Sequence, residues 1–197
     1  MRKLLTLNKD GRLALRGSNG TETAIEPSRV RNVLLLIDTS GSMAGNKIEQ
    51  AKSGAVDFAH SASAKGYATA LAVFADRAAM VCDPVTDSAV LAKKIARLDV
   101  GIVGGTTDLA SGLALAGKFA ELAAVVIVTD GQTPEKPALS AALTLKTKGV
   151  EIICIGTDDA DRGFLSKLAT RSDLATHVLA QDMRSAISDA SRLLDGR

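Results

Sequence analysis

Five consecutive apolar residues, Val33-Leu34-Leu35-Leu36-Ile37, run straight into an aspartate, Asp38. A short apolar run with no polar alternation marks a strand buried on both faces, and only a sheet covered on both sides offers such a place. The feature recurs at Val125-Val126-Ile127-Val128, and residues 150–155 are predicted as a further strand. Between these runs the apolar period changes to three and four, as in Ile48, Ala51, Ala55, Phe58 and Ala62, which predicts a helix. Further helices are predicted over residues 87–98, 106–120, 133–149, 161–170 and 182–194, the third of these with Thr133 as N-cap and Pro134 at its first position. Met183, Ile187, Ala190 and Leu194 form the apolar stripe of the last. Strands are predicted over 68–74, 78–81 and 176–179. The link between the first two is too short for a helical crossover, so they must be antiparallel. Alternation of this kind specifies an α/β fold: a doubly wound, mostly parallel sheet with one antiparallel edge strand and helices on both faces.

The first 30 residues follow a different pattern. Residues 3–7 and 12–16 flank Asn8-Lys9-Asp10-Gly11 as a small hairpin would, and the polar stretch 17–28 reads as a linker. This gives an N-terminal arm over 1–30 and a domain over 31–197. The arm to residue 31 has seven basic and three acidic residues, a net +4, so the rest carries about −2 of the chain's +2. That balance gives no electrostatic grip on a polyanion, and aromatics at 3% with no Trp offer little to stack on bases. Nucleic acid is therefore not an expected partner. Nor is a membrane, since no segment reaches the roughly 18 apolar residues of a span. No apolar stretch of signal-peptide type follows the basic N-terminus, and Cys82 and Cys154 lack disulfide or zinc spacing, which predicts a cytoplasmic protein with two buried thiols.

In doubly wound sheets ligands sit outside the carboxyl ends of the strands, at the switch point. Three loops there stand out: Asp38-Thr39-Ser40-Gly41-Ser42, Gly104-Gly105-Thr106-Thr107-Asp108 and Thr129-Asp130-Gly131. Brought together, they present two carboxylates, Asp38 and Asp130, and three hydroxyls, Ser40, Ser42 and Thr106. An all-oxygen set without His or Cys selects a hard cation: Mg²⁺ foremost, with Mn²⁺ or Ca²⁺ as alternatives. So few charged ligands leave the cation electrophilic and open to a carboxylate from a partner. Each loop also has a plain structural reading, as an Asx turn at Asp38, an N-cap at Thr106 with Asp108 as a favourable acid in the first helical turn, and a turn at Asp130-Gly131.

The combination Asp38-x-Ser40-x-Ser42, Thr106 after a Gly-Gly pair, and Asp130 in Val128-Thr129-Asp130-Gly131 resembles the von Willebrand factor type A domain and its metal-ion-dependent adhesion site. All five positions match, and the likeness extends over residues 31–194. It implies a three-layer α-β-α fold with a six-stranded sheet. It also implies metal ligation by Ser40, Ser42 and Thr106, with Asp38 and Asp130 holding the ion directly or through water. Thr107 follows Thr106 immediately. Thr106 is favoured as the residue next to the glycines, and Thr107 and Asp108 stay open as contributors. The resemblance implies a non-enzymatic, metal-dependent protein-interaction module whose partner presents Asp or Glu. The cytoplasmic reading would put it in a multiprotein assembly, with an AAA+ ATPase as a candidate partner. It further implies that the last helix shifts with ligand state.

One rival is an enzyme. Asp38 at a strand end, with Asp158, Asp159 and Asp161 later, is similar to phosphatases of the haloacid dehalogenase type, but their second aspartate is replaced here by Ser40. No phosphate-binding loop motif is present for a nucleotide. His60 and His177 have no partners for catalysis in the sequence.

Overall fold

The computed structural model describes residues 4–7, 13–16, 22–24, 30–101, 107–131, 133–157 and 160–194. In the arm, Leu4–Leu7 (β1) and Leu13–Arg16 (β2) pair antiparallel. The Asp10-Gly11 turn lies outside the described residues. The stretch read as a linker contains a third strand, Glu22–Ala24 (β3), paired antiparallel with β2. Backbone pairing defines so short a strand, and three residues leave no apolar period to detect.

The main sheet has six strands: Arg31–Asp38 (β4), Tyr67–Phe74 (β5), Ala78–Val85 (β6), Leu122–Thr129 (β7), Glu151–Thr157 (β8) and Ala175–Val178 (β9). Their order is β6-β5-β4-β7-β8-β9, and every pair is parallel except β5–β6. The apolar runs occupy the centre. Residues 33–37 of β4 and 125–128 of β7 are completely buried.

Among the described residues, six α-helices cover the sheet: Asn46–Ala64 (α1), Ser88–Ile95 (α2), Leu109–Ala116 (α3), Glu135–Thr147 (α4), Arg162–Leu168 (α5) and Met183–Ala190 (α6). Helix α1 packs on α2 and α6, while α4 packs on α3 and α5, giving one layer on each face. The predicted stripe of α1 is buried throughout, as is Met183, Ile187, Ala190 and Leu194 at the C-terminus. Helix α6 is held tightly to α1. A Cβ on Gly54 would stand 2.8 Å from the Arg184 carbonyl oxygen and from Ile187 Cβ. Arg184 pairs with Asp57, and Lys65 Nζ donates to the carbonyl oxygens of Ser191 (2.8 Å) and Leu194 (3.0 Å).

Two helix starts differ from expectation. Helix α4 begins at Glu135, and Thr133 does not cap it. The Thr133 hydroxyl instead accepts from Leu109 N (3.2 Å) and donates to the Thr107 carbonyl (3.1 Å), so it ties α3 to the loop after β7. Helix α3 begins at Leu109 rather than near residue 106, and its N-cap is Asp108, which accepts from Ser111 N (3.3 Å). Helix α4 ends where predicted: Gly149 adopts φ +77°, a conformation glycine takes without steric penalty.

Candidate functional site

Strands β4 and β7 are neighbours, and the chain leaves them in opposite directions, into α1 and on toward α4. This is the switch point, and Asp38 and Asp130 stand at or just past the two strand ends. Both are buried, with Ser40 beside them, while Ser42 is exposed at the rim and Thr107 is half-buried.

Asp38 is held from two sides. Its Oδ1 accepts from Ser40 N (2.8 Å), the Asx turn read as the plain alternative, and its Oδ2 accepts from the Thr129 hydroxyl (2.6 Å). Thr129 Oγ1 in turn accepts from Gly131 N (3.2 Å), which fixes the β7 loop against Asp38. On the other side, Thr39 N donates to the Phe74 carbonyl (2.9 Å) and Gly101 N to the Thr39 carbonyl (2.8 Å). Asp130 Oδ1 accepts from Ser42 Oγ (2.7 Å), and Ser42 Oγ lies 3.1 Å from Ser40 Oγ. Asp130 Oδ2 pairs with the Lys47 ammonium from the first turn of α1. The structure thus brings Asp38, Ser40, Ser42 and Asp130 into one hydrogen-bonded cluster.

Thr106, the fifth predicted ligand, lies outside the described residues, as do Gly104 and Gly105. The neighbouring threonine is placed at the site. A Cβ built on Gly131 would stand 3.3 Å from Thr107 Oγ1, 3.9 Å from Asp38 Oδ2 and 4.0 Å from Ser42 Oγ, so oxygens from all three loops surround one small space. Asp108 is committed to capping α3.

Burial pushes the Asp38 carboxyl above the usual carboxylate range. Hydrogen bonds from Thr129 and Ser40 oppose this, and the charge on Asp130 adds to the rise. A buried carboxylate held in place by donors yet disfavoured as an anion is stabilised by a nearby cation. The donors are all oxygens, and among the described residues no group of three or more His, Cys, Asp or Glu gathers anywhere. That donor set fits a hard divalent ion and does not fit a thiolate or imidazole metal site.

Sequence reasoning missed Lys47 and gave Thr129 no role. A lysine in the first turn of a helix opposes the helix dipole, and that was the available signal for Lys47. For Thr129 the signal was a hydroxyl at the buried end of a central strand. Of the carboxylates later in the chain, Asp161 caps α5 by accepting from Phe164 N (3.0 Å), and Asp158 and Asp159 lie outside the described residues. His60 is exposed on α1, and both cysteines are buried free thiols, Cys154 pushed up to about 12 by burial.

Solved structures with this architecture include proximal thread matrix protein 1 from the mussel byssus, 21% identical, matched over 83% of this chain and 45% of that one with a TM-score of 0.73. Another structure of the same mussel protein has a zinc-occupied metal-ion-dependent adhesion motif. The von Willebrand factor domain of the type V pili tip protein Mfa5 from Porphyromonas gingivalis is 14% identical over 83% of this chain and 94% of that one, TM-score 0.70. The pilus adhesin SpaC from Lactobacillus rhamnosus GG is 13% identical over 97% of this chain and 33% of that one, TM-score 0.70. The chain therefore spans less than half of the mussel protein. No curated protein matches the sequence.

These matches overturn the cytoplasmic expectation. The same fold serves in a byssus matrix, at a pilus tip and in a pilus adhesin. A sorting signal is a separate segment, and a folded domain that needs no disulfide staple carries no trace of its compartment. The AAA+ ATPase suggestion drew its support from that placement. Among the described residues no helix is long and apolar enough to cross a membrane.

The model of the von Willebrand factor type A domain matches residues 33–132, which contain all three loops of the site. With the six-stranded sheet and the clustered adhesion motif, this match establishes that the chain belongs to the von Willebrand factor type A domain family, whose members are often metal-dependent protein-interaction modules.

Proposed function

We propose that this domain binds a protein partner through a divalent cation, Mg²⁺ in the first instance, held by Asp38, Ser40, Ser42, Asp130 and a threonine of the 104–108 loop. The observation that carries the reading is the convergence of Asp38, Ser42 and Thr107 oxygens on the space beside Gly131. That geometry supports Thr107 as the loop's ligand. When bound, the ion supplies an electrophilic, directional contact for an Asp or Glu of the partner.

The protein residues divide the work. Asp38 and Asp130 provide the negative floor, each oriented by hydroxyls or backbone N–H. Ser42 at the exposed rim and Thr107 stand where a partner would arrive. Interface area around the rim sets affinity, while the carboxylate contact sets direction and specificity. No general acid stands two residues after Asp38, which favours binding over catalysis.

Acetate is the simplest mimic of the partner's carboxylate. In backbone NMR spectra, about 50 mM acetate added with Mg²⁺ should shift the amides of Ser42, Thr107 and Gly131, because millimolar affinity is the scale of one such contact. In EDTA the same addition should leave them in place. Equal shifts in Mg²⁺ and EDTA, or none in either, would remove the basis for a metal-mediated carboxylate site.

A further inference from the structure

Resting on the reading of this site as a cation site, we propose that Lys47 is a built-in competitor for the ion: its ammonium neutralises Asp130 and holds the site's cation affinity below what its oxygen donors alone would give.

The placement of Lys47 argues for this role. It is the second residue of α1, whose N-cap, Gly45, offers no side-chain cap. A helix N-terminus already carries positive partial charge, so a lysine there is unfavourable for the helix itself, and the acid favoured in that turn is present separately as Glu49. Something other than helix stability must hold Lys47 in place, and one partner there is the fully buried carboxylate of Asp130. The lysine side chain is only 22% exposed, so the pair is poorly screened by solvent.

The other carboxylate oxygens of the site have neutral donors. Asp38 Oδ1 has Ser40 N, Asp38 Oδ2 has the Thr129 hydroxyl, and Asp130 Oδ1 has the Ser42 hydroxyl. A hydroxyl can rotate and offer its own lone pairs to a cation. An ammonium has no lone pair to offer and repels a dication, so Asp130 Oδ2 is the oxygen that must be released or shared under repulsion. The four-carbon stem of lysine lets the ammonium swing away without backbone movement. Occupancy would then track cation concentration at a level that Lys47 sets.

The test is calorimetric titration with Mn²⁺ alone of the wild type, Lys47→Met and Lys47→Gln, together with their melting in EDTA. Gln keeps a hydrogen-bond donor without the charge and serves if the Met variant folds poorly. Both variants should bind Mn²⁺ about tenfold more tightly than the wild type. Both should melt lower in EDTA, because Asp130 loses its counter-charge. Affinity rising while EDTA stability falls is a combination that a purely structural lysine would not produce. Unchanged or weaker Mn²⁺ binding in both variants, with the wild type binding, would overturn this role and leave the cation site standing. No binding by any of the three proteins up to about 10 mM would overturn the cation reading and this inference with it.

Discussion

Asp38→Asn is expected to abolish the thermal response to Mg²⁺ while leaving the EDTA-treated protein as stable as the wild type, or more stable by about 1 kcal/mol. The asparagine can keep both contacts: its carbonyl oxygen can accept from Ser40 N, and its amide can donate to Thr129 Oγ1. What it removes is a buried negative charge that burial and Asp130 both disfavour. For the wild type, about 10 mM Mg²⁺ against a Kd of about 0.1 mM gives about 2.7 kcal/mol of stabilisation. In a domain of this size that is about 5–10 °C in Tm. The variant should show neither. Melting curves of the two proteins in EDTA and in Mg²⁺ check both signs at once. A variant that loses stability in EDTA and keeps its Mg²⁺ shift would show that Asp38 is structural.

Gly54→Val should produce the largest loss of stability, about 3 kcal/mol, read as a fall of about 6–12 °C in Tm. The clash is with backbone: a Cβ at this position meets the Arg184 carbonyl oxygen and Ile187 Cβ at 2.8 Å, and neither can rotate aside. Helix α6 must therefore move off α1, loosening the Arg184–Asp57 pair and the bonds from Lys65 to the end of the C-terminal segment. Because α1 starts directly after the Asp38 loop, the same contact makes α6 a mechanical neighbour of the site. Gly54→Ala should fall in the same direction by less, since alanine's helix propensity returns up to about 1 kcal/mol. Unchanged urea midpoints for both variants would mean that α6 packs loosely.

The legible and illegible parts of the chain divide along physical lines. Strands β4 and β7 were plain in the sequence because burial on both faces leaves no choice but continuous apolar residues. The α1 stripe was plain because one buried face imposes the helical period. Four site residues, Asp38, Ser40, Ser42 and Asp130, could be placed together because strand ends in a doubly wound sheet share one edge. Thr107 is described at the site and Thr106 lies outside the described residues, and spacing from the glycines alone does not distinguish the two. Thr133 has the local chemistry of an N-cap for α4, yet its hydroxyl serves Leu109 N, a partner 24 residues away. Lys47 was hidden for a related reason: its partner is 83 residues distant. Strand β3 depends on pairing alone. The compartment was misread because neither the fold nor the site encodes it.

The most direct test of the central claim is calorimetric titration of Mn²⁺ into the wild type and Thr107→Val. The account predicts saturable one-to-one binding by the wild type with a Kd of about 0.1 mM, and at least about tenfold weaker binding by the variant. Absence of saturable binding by the wild type up to about 10 mM, or binding that the variant retains in full, would contradict a cation held between Asp38, Asp130 and the Thr107 loop.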